Sequence, residues 1–88
     1  MELEWDETKR QQTLERRSLD FADIAFIDPA SLVSERDMRG DYGEARFSSY
    51  AYLDGRLINF CWTPRNGRIR IISMRKANDR ERKKYQAR

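Results

Sequence analysis

Positions in the second half of the chain alternate between apolar and polar, with the period of a β-strand. Three such segments run from Arg46 to Leu53, from Arg56 to Thr63 and from Arg68 to Lys76. Asp54-Gly55 separates the first two and is typical of a two-residue hairpin turn, because both central residues need a positive φ. A second turn containing Asn66-Gly67 precedes the last segment. The pattern predicts a three-stranded antiparallel meander in sequence order.

Apolar positions in the first half indicate a short strand followed by two helices. Leu3 to Trp5 is the predicted strand, and Asp6 then caps a helix that reaches about Arg16. Asp20 begins a second helix, which Asp28-Pro29 ends. The apolar face of this second helix consists of Phe21, Ile24, Ala25 and Ile27.

Two further segments complete the predicted fold. Ser31 to Gly43 is polar and mixed in charge, so we predict a loop with at most a strand at Leu32-Val33. Asn78 caps a closing helix, with Glu81 at the spacing of a capping box. The fold class is therefore α/β (α+β), a single domain over residues 1–88 in the order β-α-α-β-β-β-α. We expect the meander to pack on the first two helices and the basic C-terminal helix to run along an edge.

The composition excludes several classes of site. The chain contains no histidine and a single cysteine, Cys61. A Ser-His or Cys-His triad, a paired-His ribonuclease and a His-ligated zinc site each require the imidazole. The glycines are isolated and form no phosphate loop, so we expect no cofactor and no metal. Cys61 lies within the apolar run Leu57 to Trp62, which predicts a buried, unreactive thiol.

The length of the chain limits its core and its setting. Eighty-eight residues form one domain with a modest core, so we assign Trp5 and Trp62 to that core rather than to base stacking. No stretch approaches the length of a membrane span, and the chain begins without a basic and apolar leader. The expected location is the cytoplasm.

Basic residues are concentrated at the C-terminal end. Pro64 to Arg88 contains ten Lys or Arg and two acidic residues, a local charge of +8. The whole chain carries +3, so the preceding residues carry −5. This asymmetry favours a surface that meets a polyanion such as nucleic acid, although a solvated basic helix would produce the same charge run.

Strict alternation along the last strand divides its side chains between two faces. Ile69, Ile71, Ser73 and Arg75 share one face, and Arg68, Arg70, Ile72, Met74 and Lys76 share the other. Arg75 and Lys76 therefore begin on opposite faces. A bulge or the strand end is required to bring both to one phosphate.

Five short motifs in order along the chain resemble those of the BrnT family. They are Trp5-Asp6-x-x-Lys9, Asp20-Phe21-x-Asp23, Glu44-x-Arg46, Ile71-Ile72-Ser73-Met74-Arg75-Lys76-Ala77 and Glu81-Arg82-x-x-Tyr85. The resemblance implies a fold similar to RelE-type ribonucleases and a toxin that cleaves mRNA in a type II toxin–antitoxin system. It also implies a BrnA partner, an antitoxin whose ribbon-helix-helix region binds DNA.

The chain departs from the family pattern between the first two helices. Family members usually carry Lys-His-Gly where this chain has Arg16-Arg17-Ser18. If the family histidine contributes to catalysis, Arg17 in its place would impair activity. We favour the other interpretation, in which these residues shape the interhelix turn and Ser18 replaces the usual glycine at some conformational cost.

Cleaving RNA without a metal requires neutralisation of the transferring phosphoryl group and proton transfer at the 2′- and 5′-oxygens. Arg75 is the first candidate for neutralisation and Arg46 the second. The other candidates are Glu44 and Glu81 as proton acceptors, Lys76 and Tyr85 as proton donors, and Arg68, Arg70, Lys83 and Lys84 as RNA-binding cations. Simpler roles compete for two of them, because Glu81 suits a helix cap and Tyr85 suits packing on the sheet.

The sequence thus predicts an endoribonuclease toxin that an antitoxin inhibits. Two alternatives from other classes stay open. One is a non-catalytic nucleic-acid-binding module, for instance a DNA-binding regulator. The other is an interaction domain whose basic face binds an acidic partner.

Overall fold

The computed structural model describes residues 2–88. Its elements in chain order are strand β1 (Leu3–Trp5), helix α1 (Glu7–Arg17), two 3₁₀ helices (Phe21–Phe26 and Pro29–Ser31), strands β2 (Val33–Arg36), β3 (Phe47–Leu53), β4 (Arg56–Arg65) and β5 (Arg68–Lys76), and helix α2 (Asp79–Gln86). The strands form one mixed sheet in the order β1-β5-β4-β3-β2. The predicted α+β class is confirmed.

The central three strands are the predicted meander. β3, β4 and β5 pair antiparallel in sequence order. Asp54 and Gly55 have φ values of 51° and 76°, and Asn66 and Gly67 have 53° and 75°. Both turns thus place two successive residues at positive φ, which matches the twist of the strands they connect.

Two more strands extend the sheet beyond the meander. β1 pairs parallel with the start of β5, with Leu3 opposite Ile69. β2 pairs antiparallel with β3, with Val33 opposite Tyr50, and it is longer than the predicted strand at Leu32-Val33. Its sequence, Val-Ser-Glu-Arg, has one apolar residue, so an edge strand of this kind has no alternation for a pattern to detect.

The predicted second α-helix is wrong in type and length. Phe21–Phe26 is a 3₁₀ helix, and Ile27 is already extended with a ψ of 155°. The Asp20 carboxylate accepts a hydrogen bond from the Ala22 amide at 2.9 Å, and Asp28 begins a separate turn in the same way. Aspartates that bind the amide two residues later stabilise short local turns instead of a continuous α-helix.

Helix α1 begins and ends where its capping residues predict. The Asp6 carboxylate accepts from the amides of Thr8 and Lys9 at 2.9 and 3.3 Å. Ser18 ends the helix in the left-handed region, at φ 57° and ψ 34°, with its amide bound to Leu14 O. A serine thus adopts the conformation that glycine takes most easily.

The core lies on one face of the sheet. Its buried apolar side chains are Leu19, Phe21, Ile24, Ala51, Ile58, Phe60, Ile71 and Met74. Trp5 and Trp62 pack against this cluster, which confirms their assignment to the core. Helix α1 buries none of its residues, so Leu19 and the first 3₁₀ helix cover the meander in place of the two packed helices that we expected.

A β-bulge interrupts the pairing of β4 and β5. Cys61 lies opposite Ser73, but the next residue, Trp62, lies opposite Ile71. Ile72 therefore has no partner on β4. A bulge of this kind inverts the alternation of side chains along the strand beyond it.

The bulge changes which side chains of β5 share a face. Met74 lies opposite Phe60 and is fully buried in the core. Arg75 therefore lies on the opposite, polar face, and its predicted grouping with Ile69 and Ile71 is wrong. Arg75 and Lys76 still lie on opposite faces, because the bulge precedes both.

Helix α2 lies beside the β2 side of the sheet. Asn78 and Glu81 form the predicted capping box, each side chain bound to the other residue's amide. The Tyr85 hydroxyl donates to Ser31 O at 2.6 Å, and its ring packs edge-on against Tyr52 with 5.7 Å between centroids. These contacts position α2 against the polar face.

Candidate functional site

A cleft of about 430 Å³ opens on the polar face of the sheet, opposite the core. Its floor comes from β3, β4 and β5 and consists of Ser48, Tyr50, Asn59, Cys61, Ser73 and Arg75. Its rim consists of Arg17, Glu35, Arg36, Asp37, Met38, Arg39 and Glu81. Tyr50, Asn59 and Arg75 are paired across the three strands and form one row. The meander therefore presents a hydroxyl, an amide and a guanidinium to the same space.

The Glu81 carboxylate is the centre of a hydrogen-bond network in this cleft. Arg75 donates to both of its oxygens, at 2.6 and 2.7 Å, as a bidentate pair. The Tyr50 hydroxyl donates to Oε2 at 2.8 Å, and the backbone amide of Asn78 donates to Oε1 at 2.9 Å. Two donors on each oxygen fix the carboxylate, and through it the guanidinium and the phenol.

The same network sets the protonation states. Hydrogen bonds from Arg75, followed by the Asn78 amide and Tyr50, lower the pKa of Glu81 to about 2 although burial opposes the shift. Burial, followed by the hydrogen bond to Glu81, raises the pKa of Tyr50. The bond to Glu81 also raises the pKa of Arg75. At neutral pH, Glu81 is ionised and Tyr50 keeps its proton.

These states separate the roles of the three side chains. A carboxylate with a pKa of about 2 and four bound donors is a weak proton acceptor, so Glu81 is suited to holding its neighbours. Arg75 keeps 42% of its side chain exposed, and among residues 2–88 its Nε–H has no partner. The guanidinium therefore has donors left for a phosphate oxygen.

Arg17 is a cleft residue that we did not predict. Its Nη1 donates to Met74 O at 2.8 Å. Met74 lies on β5, three residues after Ile71, which is the last β5 residue that pairs with β1. Within the described range it has no carboxylate partner, so its positive charge is not neutralised. The left-handed Ser18 ends α1 at this point. The Arg16-Arg17-Ser18 departure is the available sequence signal, and of its two interpretations we favoured turn geometry over a catalytic position.

Cys61 also lies in this cleft, half-buried, and not in the core. It pairs with Ser48 and Ser73, whereas its neighbours Phe60 and Trp62 face the core. The apolar run around it misled the prediction, because successive residues of a strand point to opposite faces.

Glu44 and Arg46 lie outside the cleft. They form an ion pair with each other at 3.1 Å, and the Arg46 guanidinium lies 4.0 Å from the centre of the Tyr42 ring. Both line a separate hollow beside residues 36–42. The structure therefore does not bring them together with Arg75.

The side chains of three other predicted cations do not line the cleft. Arg68 pairs with Glu2 at 2.9 Å, and Arg70 pairs with Glu4 at 3.5 Å, both at the start of β5. Lys76 is exposed and pairs with Ile58, so its side chain lies on the opposite face of the sheet from that of Arg75.

A smaller pocket of about 120 Å³ adjoins the cleft between α2 and β2. It shares Glu35, Tyr50 and Glu81 with the cleft, and Lys84 and Tyr85 line its other side. The Tyr85 hydroxyl is already bound to Ser31 O, and exposed Lys83 lies outside both spaces. Of the predicted helix residues, Lys84 and Tyr85 are therefore the ones near the network.

Residues 2–88 contain no group of three His, Cys, Asp or Glu side chains placed to hold a metal ion. None of the helices in the same range is long and apolar enough to cross a membrane.

Comparison with known proteins gives the family. A search of the curated proteins found no match. The family model described as "Ribonuclease toxin, BrnT, of type II toxin-antitoxin system" matches residues 5–81, a range that includes Arg17, Tyr50, Arg75 and Glu81. The match covers most of the 88 residues, and it agrees with the resemblance of the five motifs. The chain therefore belongs to the BrnT family of ribonuclease toxins of type II toxin–antitoxin systems.

Proposed function

We propose that this chain is a metal-independent endoribonuclease that cleaves mRNA in the cytoplasm, and that cleavage occurs in the cleft at Arg75. The observation that carries the proposal is the fixed Tyr50–Glu81–Arg75 network, with the unneutralised Arg17 on the same cleft. A phosphodiester entering the cleft would meet two arginines, one of them held in place by a bidentate pair. Guanidinium groups suit the charged oxygens of a phosphate.

The proposed reaction uses the RNA's own 2′-hydroxyl as the nucleophile. The 2′-oxygen bonds to phosphorus and gives its proton to water, while the bond from phosphorus to the 5′-oxygen breaks. Arg75 and Arg17 stabilise the charge on the phosphoryl oxygens. Tyr50, protonated at neutral pH, gives its proton to the departing 5′-oxygen and recovers one from water. Glu81 acts as a positioning residue for both Arg75 and Tyr50.

A cleavage assay in chelator tests this mechanism. Purified protein, freed of any partner, should cut RNA in excess EDTA and leave a 2′,3′-cyclic phosphate or 3′-phosphate with a 5′-hydroxyl. End-group analysis by mass spectrometry identifies these products. A strict requirement for added Mg²⁺, or a 3′-hydroxyl end, would contradict the mechanism. RNA binding without cleavage would instead support the non-catalytic nucleic-acid-binding module.

The Tyr50→Phe variant separates proton donation from packing. It keeps the ring and removes the hydroxyl, so cleavage should fall by about 100-fold or more if Tyr50 is the general acid. Ser34→Ala is a suitable control, because it removes a hydroxyl on the core side of the neighbouring strand, where Ser34 bonds to Ser49. Equal activity of wild type and Tyr50→Phe would remove Tyr50 from the mechanism.

We further propose that a BrnA-like ribbon-helix-helix antitoxin holds the activity off by covering the basic C-terminal region. The +8 charge of residues 64–88 would attract an acidic segment quickly and would compete with RNA for the same arginines. The complex should neither cleave nor bind RNA, and its DNA binding should belong to the antitoxin. Co-expression with the product of the adjacent gene tests this, since the two should purify together and separation should restore cleavage. A chain that purifies alone without arresting growth would contradict the proposal.

A further inference from the structure

The pocket between α2 and β2 is lined by two tyrosines. Val33 and Tyr50, which are paired across β2 and β3, line one side, and Tyr85 from α2 lines the other. Its volume of about 120 Å³ is small, and its surface is mostly apolar. It shares Tyr50 and Glu81 with the cleft. A group bound here would be separated from Arg75 by the Glu81 side chain, which binds Arg75 directly.

The Tyr85 ring is held rigidly at the edge of this pocket. Its hydroxyl donates to Ser31 O at 2.6 Å, and its ring meets Tyr52 edge-on at 5.7 Å and 87°. The Arg88 guanidinium lies 4.1 Å from the ring centre and covers that face of the ring. A base stacked there would take the place of this planar group. Rigid aromatic rings beside a cationic groove are the usual stacking platforms for unpaired bases.

Glu35 is a second carboxylate that lines the pocket, besides Glu81. It lies on the same face as Tyr50, opposite Ser48, and its side chain is exposed. Among residues 2–88 the Glu35 carboxylate has neither a hydrogen-bond donor nor an ion-pair partner, whereas the nearby Glu81 is fully occupied by four donors. Glu35 is therefore the acceptor that remains available to a ligand.

An ionised carboxylate presents two acceptor oxygens and no donor, and this selects among the bases. Guanine offers two adjacent donors on its Watson–Crick edge, N1–H and the N2 amino group. Adenine and cytosine each place an acceptor beside their amino group, and uracil places its N3–H between two carbonyl oxygens. Only guanine can satisfy both carboxylate oxygens side by side.

We propose that this pocket is a guanine subsite, with the base stacked on Tyr85 and its N1–H and N2 amino group donated to Glu35. Lys84 and Arg88 also line the pocket. When the base displaces Arg88 from the Tyr85 ring, both cations are available to the flanking phosphates. The proposal deepens the proposed function, because it makes the nucleotide next to the scissile phosphate a guanosine.

Binding of uncleavable oligonucleotides tests the pocket without requiring catalysis. Four fluorescein-labelled 2′-O-methyl pentanucleotides, uridine at every position except a central G, A, C or U, are titrated by fluorescence anisotropy. Wild type should bind the G oligonucleotide about tenfold or more tightly than the other three, the discrimination of one bidentate contact. Equal affinity for all four would overturn the proposal.

Three variants assign that preference to the named side chains. Glu35→Gln should bring the G oligonucleotide to within about twofold of the others, since the amide offers a donor where an acceptor is needed. Tyr85→Ala should weaken binding of the G oligonucleotide by about tenfold. Tyr85→Phe should keep both the stacking surface and the preference for G. Glu15→Gln, an exposed carboxylate on α1, is the matched control and should change nothing. A G preference that survives Glu35→Gln would also overturn the assignment.

The outcomes for the pocket and for the proposed function are distinguishable. Ribonucleotide versions of the same four oligonucleotides are incubated with wild type, and their products are resolved. Binding with G preference but no cleavage would uphold the subsite and overturn the endoribonuclease. Cleavage of all four at equal rates, with equal binding, would uphold the endoribonuclease and overturn the subsite.

Discussion

The two ends of β5 carry the same kind of ion pair in different surroundings. At its start, Arg68 pairs with Glu2, and their side chains are 52% and 73% exposed. At its end, Arg75 pairs with Glu81, whose side chain is only 18% exposed. Glu2 is the residue immediately before the three-residue strand β1, whereas Glu81 is fixed by a helix cap and by Tyr50.

The difference between these two ion pairs shows that positive charge alone does not locate the candidate site. Exposed pairs contribute between zero and about 1 kcal/mol, so the pair with Glu2 does little to fix the orientation of Arg68. Arg75 is oriented before any ligand arrives, and preorganised charge is what stabilises a transition state. The basic C-terminal region therefore contains arginines in two kinds of surroundings that its sequence does not distinguish.

The largest expected effect comes from replacing Arg75, at the C-terminal end of β5. Arg75→Ala should lower the rate of RNA cleavage by about 100- to 1000-fold, the usual cost of removing one preorganised charge donor. Arg75→Lys should recover little, because a point charge does not replace the bidentate fork. Steady-state assays below the thermal transition of each variant measure this.

Arg68→Ala is the matched control at the other end, and its cleavage rate should stay close to that of wild type. If Arg75→Ala and Arg68→Ala lose activity equally, the two ion pairs are equivalent for cleavage. The assignment of the site to the C-terminal end of β5 would then be wrong.

The second prediction concerns acid stability. The pKa of Glu81 is about 2 in the folded protein and about 4.5 when unfolded, so its ionisation favours folding. That contribution is fully present above about pH 4.5 and is lost as the pH falls toward 2. Glu81→Gln should therefore lower the thermal midpoint most above pH 5, and the gap to wild type should close near pH 2.

Glu2→Gln provides the comparison for this experiment. It removes the carboxylate of the exposed pair at the start of β5, so its thermal midpoint should follow that of wild type throughout the titration. Calorimetric scans between pH 2 and 7 check both variants. A constant gap for Glu81→Gln at every pH would show that packing, and not charge, is what the residue supplies.

Local signals predicted most of the fold. Alternation and the two positive-φ turns fixed the meander, while Asp6 and Asn78 correctly placed the starts of both α-helices. Pairing between distant segments was not predictable in this way. β2 has one apolar residue and joins the sheet through backbone hydrogen bonds, which are independent of side-chain identity.

The site was harder to predict than the fold, for two physical reasons. The bulge at Ile72 shifts Arg75 to the polar face, and nothing in the local sequence marks that bulge. Tyr50 and Arg17 reach the cleft from β3 and from the end of α1, far from Arg75 along the chain. Arg75 was predicted from the basic end of β5 and Glu81 from the capping-box spacing, but the sequence did not indicate that the two side chains pair.

A third, smaller effect concerns nonspecific RNA binding. Lys83 and Lys84 lie on α2 and have no ion-pair partner within residues 2–88, so each is free to release counterions. Lys83→Ala and Lys84→Ala should each lower the salt slope of RNA affinity by about one unit. Arg68→Ala should lower it less, since Glu2 already compensates part of its charge. Affinity titrations at four salt concentrations give the slopes, and a larger change for Arg68→Ala would contradict the distinction between the ends of β5.

The smallest effect tests the turn that delivers Arg17 to the end of β5. Ser18 has a φ of 57°, a conformation that costs a residue with a Cβ about 1–2 kcal/mol, whereas glycine adopts it freely. Glycine also loses more backbone entropy on folding, so the net gain from Ser18→Gly should be about 0.5–1 kcal/mol. For a domain of this size that gain corresponds to a rise of about 2–8 °C in the thermal midpoint, with cleavage unchanged. Ser18→Ala keeps the Cβ and should give no gain, which separates backbone strain from loss of the hydroxyl. A lower midpoint for Ser18→Gly would mean that the serine is not held in the left-handed conformation, and the position of Arg17 beside Met74 would then need another cause.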